Sequence, residues 1–464
     1  MEDSGKIKET GFKENALSPS GSLPMEGSPM LITSEYVQNG GRGRSRHSFS
    51  VIGITDSRKQ WFPPEVMEVI KAGKVFSGGK RHHEIMMDFL PENAVWIDIT
   101  VPLSEVFKQY EAYDDIVVFA SGDPLFFGFA NTIQRECPGC EMKVYPSFNS
   151  LQMLAHRMCL PYHDMHVVSL TGRPWDKFDE ALINGESLIG VLTDKKNTPQ
   201  AIWQRMQDYG YTNYTMTIGE NLGNEDKERI IKVEPPSPPR GSSLYTSFLY
   251  GVSSEKSLLY KNSPLGGWGA LNCLLLQKTH PRPRPFGIPE SEFHLLNGRA
   301  KMITKMPIRL MSLSMMQLRE RKTMWDVGFC TGSVSIEAKL QFPHLKITAF
   351  EVREEGRELM EMNSRKFGTP GIETVISDFL QVDVSGYPKP DAVFIGGHGG
   401  KLPEMMEKIY RELEEEGVIV MNTVVQSSYD AFIESAKKLN MKIEEPVRMA
   451  LDDFNPITIL KATK

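Results

Sequence analysis

The chain has 464 residues, of which 40% are hydrophobic and 24% are charged, and its formal net charge is −6. This length exceeds what one hydrophobic core usually serves, so two or more domains are expected. The balance of charge argues against a nucleic-acid partner, and five scattered cysteines argue for a reducing compartment. No apolar run is long enough for a membrane helix and no signal pattern is found. We therefore expect a cytoplasmic protein with no membrane partner and no bound metal.

The first part of the chain alternates between two kinds of pattern. Residues 1–47 are rich in Gly, Ser, Glu and Asn and predict a disordered tail. From residue 48, β-branched runs alternate with segments of helical spacing, which is typical of an α/β layer. The Pro- and Ser-rich stretch 235–269 is interpreted as a loop or insertion within a domain over 48–280. Strands are predicted at 48–55, 74–76, 95–99, 115–120, 142–145, 166–169, 188–192, 215–218 and 271–276, and helices at 64–72, 84–90, 104–110 and 126–135.

A proline-rich segment, PRPRP at 281–285, favours extended geometry and predicts a linker between domains. Beyond it the alternation resumes and predicts a second domain over 286–464, an open, doubly wound, Rossmann-like sheet. The predicted fold class is therefore α/β for both domains. Strands are predicted at 324–327, 346–350, 373–376, 391–395, 417–422 and 442–444, and helices at 307–318, 333–341, 353–367, 403–414 and 428–439.

The stretch WDVGFCTGS at 325–333 predicts a nucleotide-binding corner, because a strand, a glycine turn and a helix N-terminus follow one another. A dinucleotide fingerprint needs glycines at the first, third and sixth positions of the turn. Those positions hold Gly328, Cys330 and Ser333, so two of the three fail. The pattern of S-adenosylmethionine-dependent methyltransferases, an acidic residue and then Gly-x-Gly-x-Gly, is met by Asp326, Gly328 and Gly332.

Three carboxylates follow successive predicted strands around this turn. Asp326 lies at the end of the first strand, Glu351 closes the second and could accept both ribose hydroxyls, and Asp378 follows the third and could accept from the adenine amino group. Each alone could be an ordinary surface carboxylate. Their shared placement at strand carboxyl ends favours a nucleoside site.

The segments GIPESEF (287–293), MITKMPIR (302–309), WDVGFCTGSVSIEA and PDAVFIGGHGG (390–400) resemble the C-terminal half of precorrin-6Y methyltransferases. That half corresponds to the decarboxylating, carbon-15 enzyme of corrin synthesis. The resemblance departs at Cys330, where glycine is usual, and at His398, where a small residue is commoner. It implies S-adenosylmethionine contacts from Asp326, Gly328, Thr331, Gly332, Glu351 and Asp378, and substrate contacts from Thr304, Lys305, Arg309, Gly396 and Gly397.

In the first domain, SGDPLFFG (121–128) bends the chain sharply after a buried strand and exposes backbone groups to a ligand. With GGKRHHE (78–84), YPSFNSLQMLAHRM (145–158) and VVSLTGRP (167–174), it resembles the tetrapyrrole methylases that methylate carbon 5. One departure is the first loop, GITDSR at 53–58, which replaces a glycine-rich turn. The resemblance implies cofactor contacts from Ser121, Gly122, Asp123, Leu125 and Ser150, and substrate contacts from Lys80, Arg81 and His82.

Together the two resemblances imply S-adenosylmethionine-dependent methylation of a precorrin at carbons 5 and 15, with loss of the ring-C acetate as carbon dioxide, in cobalamin biosynthesis. They also imply a homo-oligomer. No catalytic base is identifiable, and His398 and Asp391 are the candidates. Two alternatives stay open: another S-adenosylmethionine-dependent methyltransferase acting on RNA, protein or a small molecule, and a binding protein with decayed sites.

Overall fold

A computed structural model describes residues 47–234, 271–298, 302–451 and 455–464. The predicted tail at 1–47, except for its last residue, and the predicted insertion at 235–269 lie outside these ranges. The described residues belong to one compact unit that contains three β-sheets. Within those ranges, no helix has the length and apolar character needed to cross a lipid bilayer.

The first sheet is fully parallel, with strand order β3-β2-β4-β1-β5, and its central strands are buried on both faces. The helix predicted at 84–90 begins earlier, at Lys80, because Gly79 follows the preceding strand as the N-cap residue and donates its backbone N–H to the His82 ring. The elements are β1 (Ser48–Ile54), α1 (Pro64–Ala72), β2 (Val75–Gly78), α2 (Lys80–Met86), β3 (Val95–Asp98), α3 (Leu103–Tyr110), β4 (Asp115–Ser121), α4 (Phe129–Glu136) and β5 (Glu141–Tyr145).

The second sheet is mixed, with strand order β6-β7-β10-β8-β9, and only β6 and β7 run parallel to each other. Its edge strand β9 was not predicted, because its side chains are mostly exposed and carry no apolar alternation. The elements are α5 (Ser150–Arg157), β6 (His166–Ser169), α6 (Asp176–Asn184), β7 (Leu188–Leu192), α7 (Pro199–Asp208), β8 (Tyr214–Glu220), β9 (Arg229–Val233) and β10 (Asn272–Lys278).

The third sheet confirms the predicted open, Rossmann-like sheet and adds antiparallel strands at one edge. Five parallel strands in the order β13-β12-β11-β14-β15 are followed by the antiparallel strand β18, which pairs with β15, β16 and β17. The elements are α8 (Met306–Met315), β11 (Thr323–Val327), α9 (Ser333–Gln341), β12 (Lys346–Glu351), α10 (Glu355–Phe367), β13 (Ile372–Ile376), β14 (Ala392–Ile395), α11 (Leu402–Glu412), β15 (Val418–Thr423), α12 (Gln426–Lys438), β16 (Lys442–Ile443), β17 (Val447–Met449) and β18 (Ile457–Thr463).

The segment 281–285 binds the ends of two helices of the third sheet. Arg284 donates to the Leu340 carbonyl oxygen at 2.6 Å, and Arg282 donates to the Phe367 carbonyl oxygen at 3.2 Å. Both acceptors are carbonyl oxygens in the last turn of a helix, where they have no partner within the helix itself. One apolar cluster also includes side chains from the second sheet and from α9 and α10. The described parts on either side of this segment therefore share a core.

Candidate functional site

A cleft of about 490 Å³ lies at the carboxyl ends of β1 and β4, facing the second sheet. This volume is within the range of about 300–1,000 Å³ that is usual for small-molecule sites. Its lining includes Ser121, Gly122 and Ser150, predicted as cofactor contacts, and Arg81 and His82, predicted as substrate contacts. The structure thus brings five of the eight residues predicted in this half to one cleft.

The cleft floor is a close approach of two loops. Gly122 has a φ of +63° and donates its N–H to the Ile54 carbonyl oxygen at 2.8 Å. A side chain there would place its Cβ 2.8 Å from the Asn149 Cα, while a Cβ on Gly53 would overlap the Gly122 carbonyl oxygen. The glycine at position 53 is therefore required even though the first loop departs from a glycine-rich turn.

A hydrogen-bonded cluster on the cleft wall orients the Ser121 hydroxyl. The Gly79 N–H donates to Nδ1 of His82 at 3.3 Å, so the neutral ring carries its proton on Nε2, 2.9 Å from Ser121 Oγ. Burial, followed by the nearby Arg81 charge, lowers the pKa of His82 to about 4 and keeps the ring neutral. Arg81 donates to the same oxygen at 2.9 Å. Both neighbours are donors, so the Ser121 proton is directed to an acceptor in the cleft.

Asp56 is the residue of this cluster that the sequence analysis did not assign. Its carboxylate lies 2.5 Å from Arg81 and also accepts from Asn224, and its side chain is 10% exposed. It fixes the guanidinium that reaches Ser121. The sequence feature that could have identified Asp56 is its position in the loop after β1, which departs from the family pattern.

The other three predicted residues of this half, Asp123, Leu125 and Lys80, lie outside the lining of the cleft. Asp123 accepts the Leu125 N–H at 2.9 Å, which closes the turn after Gly122. The Leu125 side chain is 46% exposed. Lys80 begins α2 and is exposed. Ser150 begins α5, whose N-terminus is capped by Asn149.

In the third sheet, the turn after β11 uses three left-handed residues: Gly328 at φ +80°, Cys330 at +55° and Gly332 at +75°. A Cβ on Gly328 would lie 2.7 Å from the Gly397 backbone nitrogen, so the turn packs directly on the second glycine loop. Gly397 and Gly399 have open space where a Cβ would project. Glycines therefore bring backbone groups close to one another and to a ligand.

Asp326 is fully buried at the end of β11 and only partly paired. Its Oδ2 accepts from the Ser335 hydroxyl at 2.6 Å, whereas Oδ1 has no hydrogen-bond partner among the described residues. Burial raises the pKa of this carboxyl to about 7. The nearby Thr331 hydroxyl is likewise buried and without a partner in the described part of the chain. An unpaired buried carboxylate oxygen is costly and suits a cationic ligand group.

Glu351 closes β12 beside the same turn and is almost fully engaged. It accepts from the Cys330 N–H at 2.9 Å, from two backbone N–H groups after the strand, and from two nitrogens of the Arg353 guanidinium. Burial alone would raise the pKa of Glu351, but these hydrogen bonds, led by those from Arg353, hold it below its usual value. A Cβ on Gly356 would lie 2.8 Å from the Glu351 Cγ, so that glycine makes room for the side chain.

Asp378 and His398 lie on the loops that follow β13 and β14. Asp378 accepts the Leu380 N–H at 3.0 Å and pairs with Lys401 at 3.2 Å, and these contacts, in that order, lower the pKa of its carboxyl. His398 lies 3.1 Å from the Ser428 hydroxyl and accepts the Gly400 N–H on Nδ1, and burial lowers the pKa of its ring. The neutral ring therefore carries its proton on Nε2, toward Ser428, and its acceptor nitrogen Nδ1 is occupied by the Gly400 N–H.

Two candidates from the sequence have their charged groups occupied by other parts of the protein. Asp391 lies before β14, at the opposite edge of the sheet from the glycine turn, and accepts the backbone N–H groups of Lys322 and Thr323. It closes the sheet edge and cannot act as a base at the turn. Arg309 has no exposed surface, pairs with Glu337 at 3.2 Å and donates to the Thr304 carbonyl oxygen at 2.8 Å. Its charge is used within the core, so it is not a substrate cation.

The remaining predicted substrate contacts lie on two separate segments. Thr304 and Lys305 precede α8 and are half-buried, and Lys305 is its N-cap residue. Gly396 and Gly397 begin the loop after β14, where Gly396 donates its N–H to the Val327 carbonyl oxygen at 2.8 Å. The latter pair is therefore adjacent to the Gly328 turn.

Comparisons with known proteins match the two halves separately. The family model described as tetrapyrrole (corrin/porphyrin) methylases matches residues 49–235, and the model described as a precorrin methyltransferase domain matches residues 297–462. The first match includes the Ser121 cleft and the second includes the Gly328 turn.

Curated relatives match both the whole arrangement and its parts. A precorrin-6Y C(5,15)-methyltransferase [decarboxylating] of Sinorhizobium sp is 27% identical over 81% of this chain and 84% of its own length. A cobalt-precorrin-6B C(15)-methyltransferase (decarboxylating) of Salmonella typhimurium is 31% identical over 35% of this chain and 83% of its own. A cobalt-precorrin-7 C(5)-methyltransferase of the same organism is 29% identical over 39% of this chain and 88% of its own.

Proposed function

The chain belongs to the precorrin-6Y C(5,15)-methyltransferase family, and from this premise we propose that it methylates a precorrin twice. The described N-terminal cleft would transfer a methyl group to carbon 5. The turn at Gly328 would direct transfer to carbon 15, with loss of the ring-C acetate as carbon dioxide. Both transfers would use S-adenosylmethionine, and the pathway would be cobalamin biosynthesis.

The observation that carries the proposal is the buried Oδ1 of Asp326, which has no hydrogen-bond partner in the part of the chain that the structure describes and lies beside a left-handed glycine turn. S-adenosylmethionine carries an ammonium group that would pair with this oxygen and relieve the cost of burying the carboxylate. The open positions at Gly397 and Gly399 let backbone approach the same ligand. The residues at this corner therefore fit the cofactor on chemistry as well as on glycine spacing.

S-adenosylmethionine supplies an electrophilic sulfonium methyl group, so the chain mainly has to bind and align the reacting partners. Asp326 would hold the amino-acid end, and Glu351 and Asp378 would orient the nucleoside. The neutral ring of His398 lies on the loop next to the turn, with its proton on Nε2 toward Ser428, and it could accept a second proton on Nδ1 once the Gly400 N–H contact is released.

In the N-terminal cleft the chain offers donors to an acidic substrate. Ser121 directs its proton into the cleft, and Arg81 carries a positive charge that Asp56 keeps in place. A tetrapyrrole with several carboxylates is a suitable acceptor for such paired donors. We assign one transfer to each half on this basis.

The test is a product assay with the purified chain, precorrin-6B and labelled S-adenosylmethionine. We expect two methyl groups incorporated and one carbon dioxide released per substrate. Glu351→Ala should suppress carbon dioxide release and one methyl transfer, whereas Gly122→Val should suppress only the other transfer. Gly386→Val is the matched control, because a Cβ there meets no atom within 4 Å. Loss of both transfers in either variant, with the fold intact by circular dichroism, would refute one site per half.

A further inference from the structure

Glu351 accepts more hydrogen bonds than a carboxylate usually has room for. Its Oε1 accepts from the backbone N–H groups of Val352 and Arg353, at 2.9 and 3.1 Å, and from Arg353 Nε at 2.9 Å. Its Oε2 accepts from the Cys330 N–H at 2.9 Å and from Arg353 Nη2 at 2.8 Å. A carboxylate offers about four lone-pair directions. Five donors leave no direction for another ligand.

Only the guanidinium can leave without a change in the backbone. Three of the five donors are main-chain groups of the turn and of the residues after β12, so they stay with the fold. The Arg353 side chain is 36% exposed, whereas that of Glu351 is 2% exposed, so the cation can swing into solvent while the carboxylate stays. Its departure would remove one donor from each carboxylate oxygen, and two hydroxyl donors of a ligand could then take their place.

We propose that Arg353 competes with the ribose hydroxyls of the cofactor for Glu351 and thereby sets the affinity of the C-terminal site. The guanidinium presents two parallel donors in a fork, and a vicinal diol also presents two donors, so both match the same pair of carboxylate oxygens. This inference rests on the proposed function, because it assigns the ribose of S-adenosylmethionine to Glu351.

Cys330 contributes to the same contact. Its N–H donates to Glu351 at 2.9 Å, and its thiol lies near enough to the Arg353 guanidinium for the two groups to interact electrostatically. A glycine at this position, which is usual in the family, would supply the N–H and no sulfur. The departure at position 330 therefore adds a weak partner that holds Arg353 over the carboxylate.

A second cation lies on the other carboxylate predicted for the nucleoside. Lys401, which directly follows the Gly396–Gly400 loop, pairs with Asp378 at 3.2 Å. Both side chains of this ion pair are partly exposed, so it is weaker than the pair between Arg353 and Glu351. The C-terminal corner thus holds internal cations on both carboxylates that were assigned to the nucleoside.

The test compares binding of S-adenosylmethionine by calorimetry to the full chain and to Arg353→Met, which keeps the alkyl stem and removes the donors. We expect one of the two binding events to tighten by about five-fold, which corresponds to the loss of a partly exposed ion pair. Arg353→Lys should give an intermediate value, since its ammonium cannot pair through a fork. Arg357→Met is the matched control, because Arg357 is an exposed arginine that pairs with Glu354, three residues earlier in the chain.

A ligand without one ribose hydroxyl separates competition from a general effect on the fold. With 2′-deoxy-S-adenosylhomocysteine, the gain from Arg353→Met should be smaller than with S-adenosylhomocysteine, since less of the guanidinium contact is displaced. Higher salt screens the Arg353–Glu351 ion pair, so it should reduce the difference in S-adenosylhomocysteine affinity between the natural chain and Arg353→Met.

Unchanged or weaker binding in Arg353→Met, while the natural chain binds at two sites, would overturn the competition and leave the proposed function standing. An equal gain for the diol and deoxy ligands would also overturn it. Absence of the C-terminal binding event in both the natural chain and Arg353→Met would instead refute the cofactor assignment on which the inference rests.

Discussion

The two candidate sites are built by opposite means. The N-terminal cleft is a large open space whose loops meet through glycine backbone at Gly53 and Gly122, with a neutral hydroxyl directed inward. The C-terminal corner has a buried carboxylate with one unpaired oxygen and a second carboxylate held by an internal arginine. Backbone shape therefore determines the form of the N-terminal cleft, whereas burial of carboxylates and competition between charges determine the properties of the C-terminal corner.

Gly328→Val should have the largest effect, because it attacks the backbone of the C-terminal corner. The residue has φ +80° and its Cβ would lie 2.7 Å from the Gly397 nitrogen. Strain and overlap together cost about 3–5 kcal/mol, so the decarboxylating transfer should fall by about a hundred-fold or more. Carbon dioxide release measures this loss. Methylation at the other carbon should persist, and its disappearance would show that the two halves do not act separately.

Asp326→Asn should change how stability depends on pH. Burial raises the pKa of Asp326 to about 7 from 3.8 in an unfolded chain, so the folded protein binds the proton more tightly. The contribution of the Asp326 carboxyl to the free energy of unfolding has its full value below about pH 4 and is lost as pH rises through about 7. Relative to Asp326→Asn, the natural chain should lose on the order of 4 kcal/mol of unfolding free energy between pH 4 and 8.

Denaturant unfolding at several pH values measures this difference. The exposed Asp383→Asn serves as the control, since contacts with Ser385 lower the pKa of Asp383 and give no dependence of this sign. A flat difference between the natural chain and Asp326→Asn would mean that the carboxyl is not forced to hold its proton, and the contrast between the two sites would fail.

Ser121→Ala should affect only the N-terminal site and by a smaller amount. It removes one hydroxyl donor worth about 1 kcal/mol, so the KM for the carbon-5 transfer should rise about five-fold while the decarboxylating transfer keeps its KM. Steady-state kinetics of the two products, resolved by mass spectrometry, separates them. A change in both values would show that Ser121 supports the fold rather than the substrate.

Cys330→Gly should have the smallest effect. Relief of a φ of +55° stabilises by about 1–2 kcal/mol, and the added freedom of the unfolded chain offsets roughly half of that. Cys159→Gly is the matched control, because Cys159 has φ +50° and is exposed outside either site. Equal rises in melting temperature in Cys330→Gly and Cys159→Gly would show that the Cys330 thiol adds no stability. A smaller rise in Cys330→Gly would measure the interaction of that thiol with Arg353.

Local patterns in the sequence predicted the elements and the corner well. The helix at 333–341 and the strands at 166–169 and 188–192 have the predicted bounds, because apolar spacing and glycine turns specify them locally. The strand β18 was missed. Its ends are half-buried, and Lys461 breaks its apolar pattern although that lysine is buried in a pair with Glu444.

The candidate site was predictable to the same extent and for the same reason. Ser121, Gly122, Asp326 and Gly328 follow strand ends, so their neighbourhood could be inferred from order along the chain. The partners of Arg309 and Asp391 could not be inferred, because they depend on contacts between distant residues that spacing along the chain does not specify. The role of Arg353 depends on a count of donors around one carboxylate, which only the folded arrangement provides.

The central claim is that one chain carries two independent cofactor sites, and the most direct measurement is calorimetric titration of the purified chain with S-adenosylmethionine. The account predicts two binding events per chain, of which Gly122→Val removes one and Gly328→Val the other. A single event in the natural chain, or the loss of both events in either correctly folded variant, would contradict it.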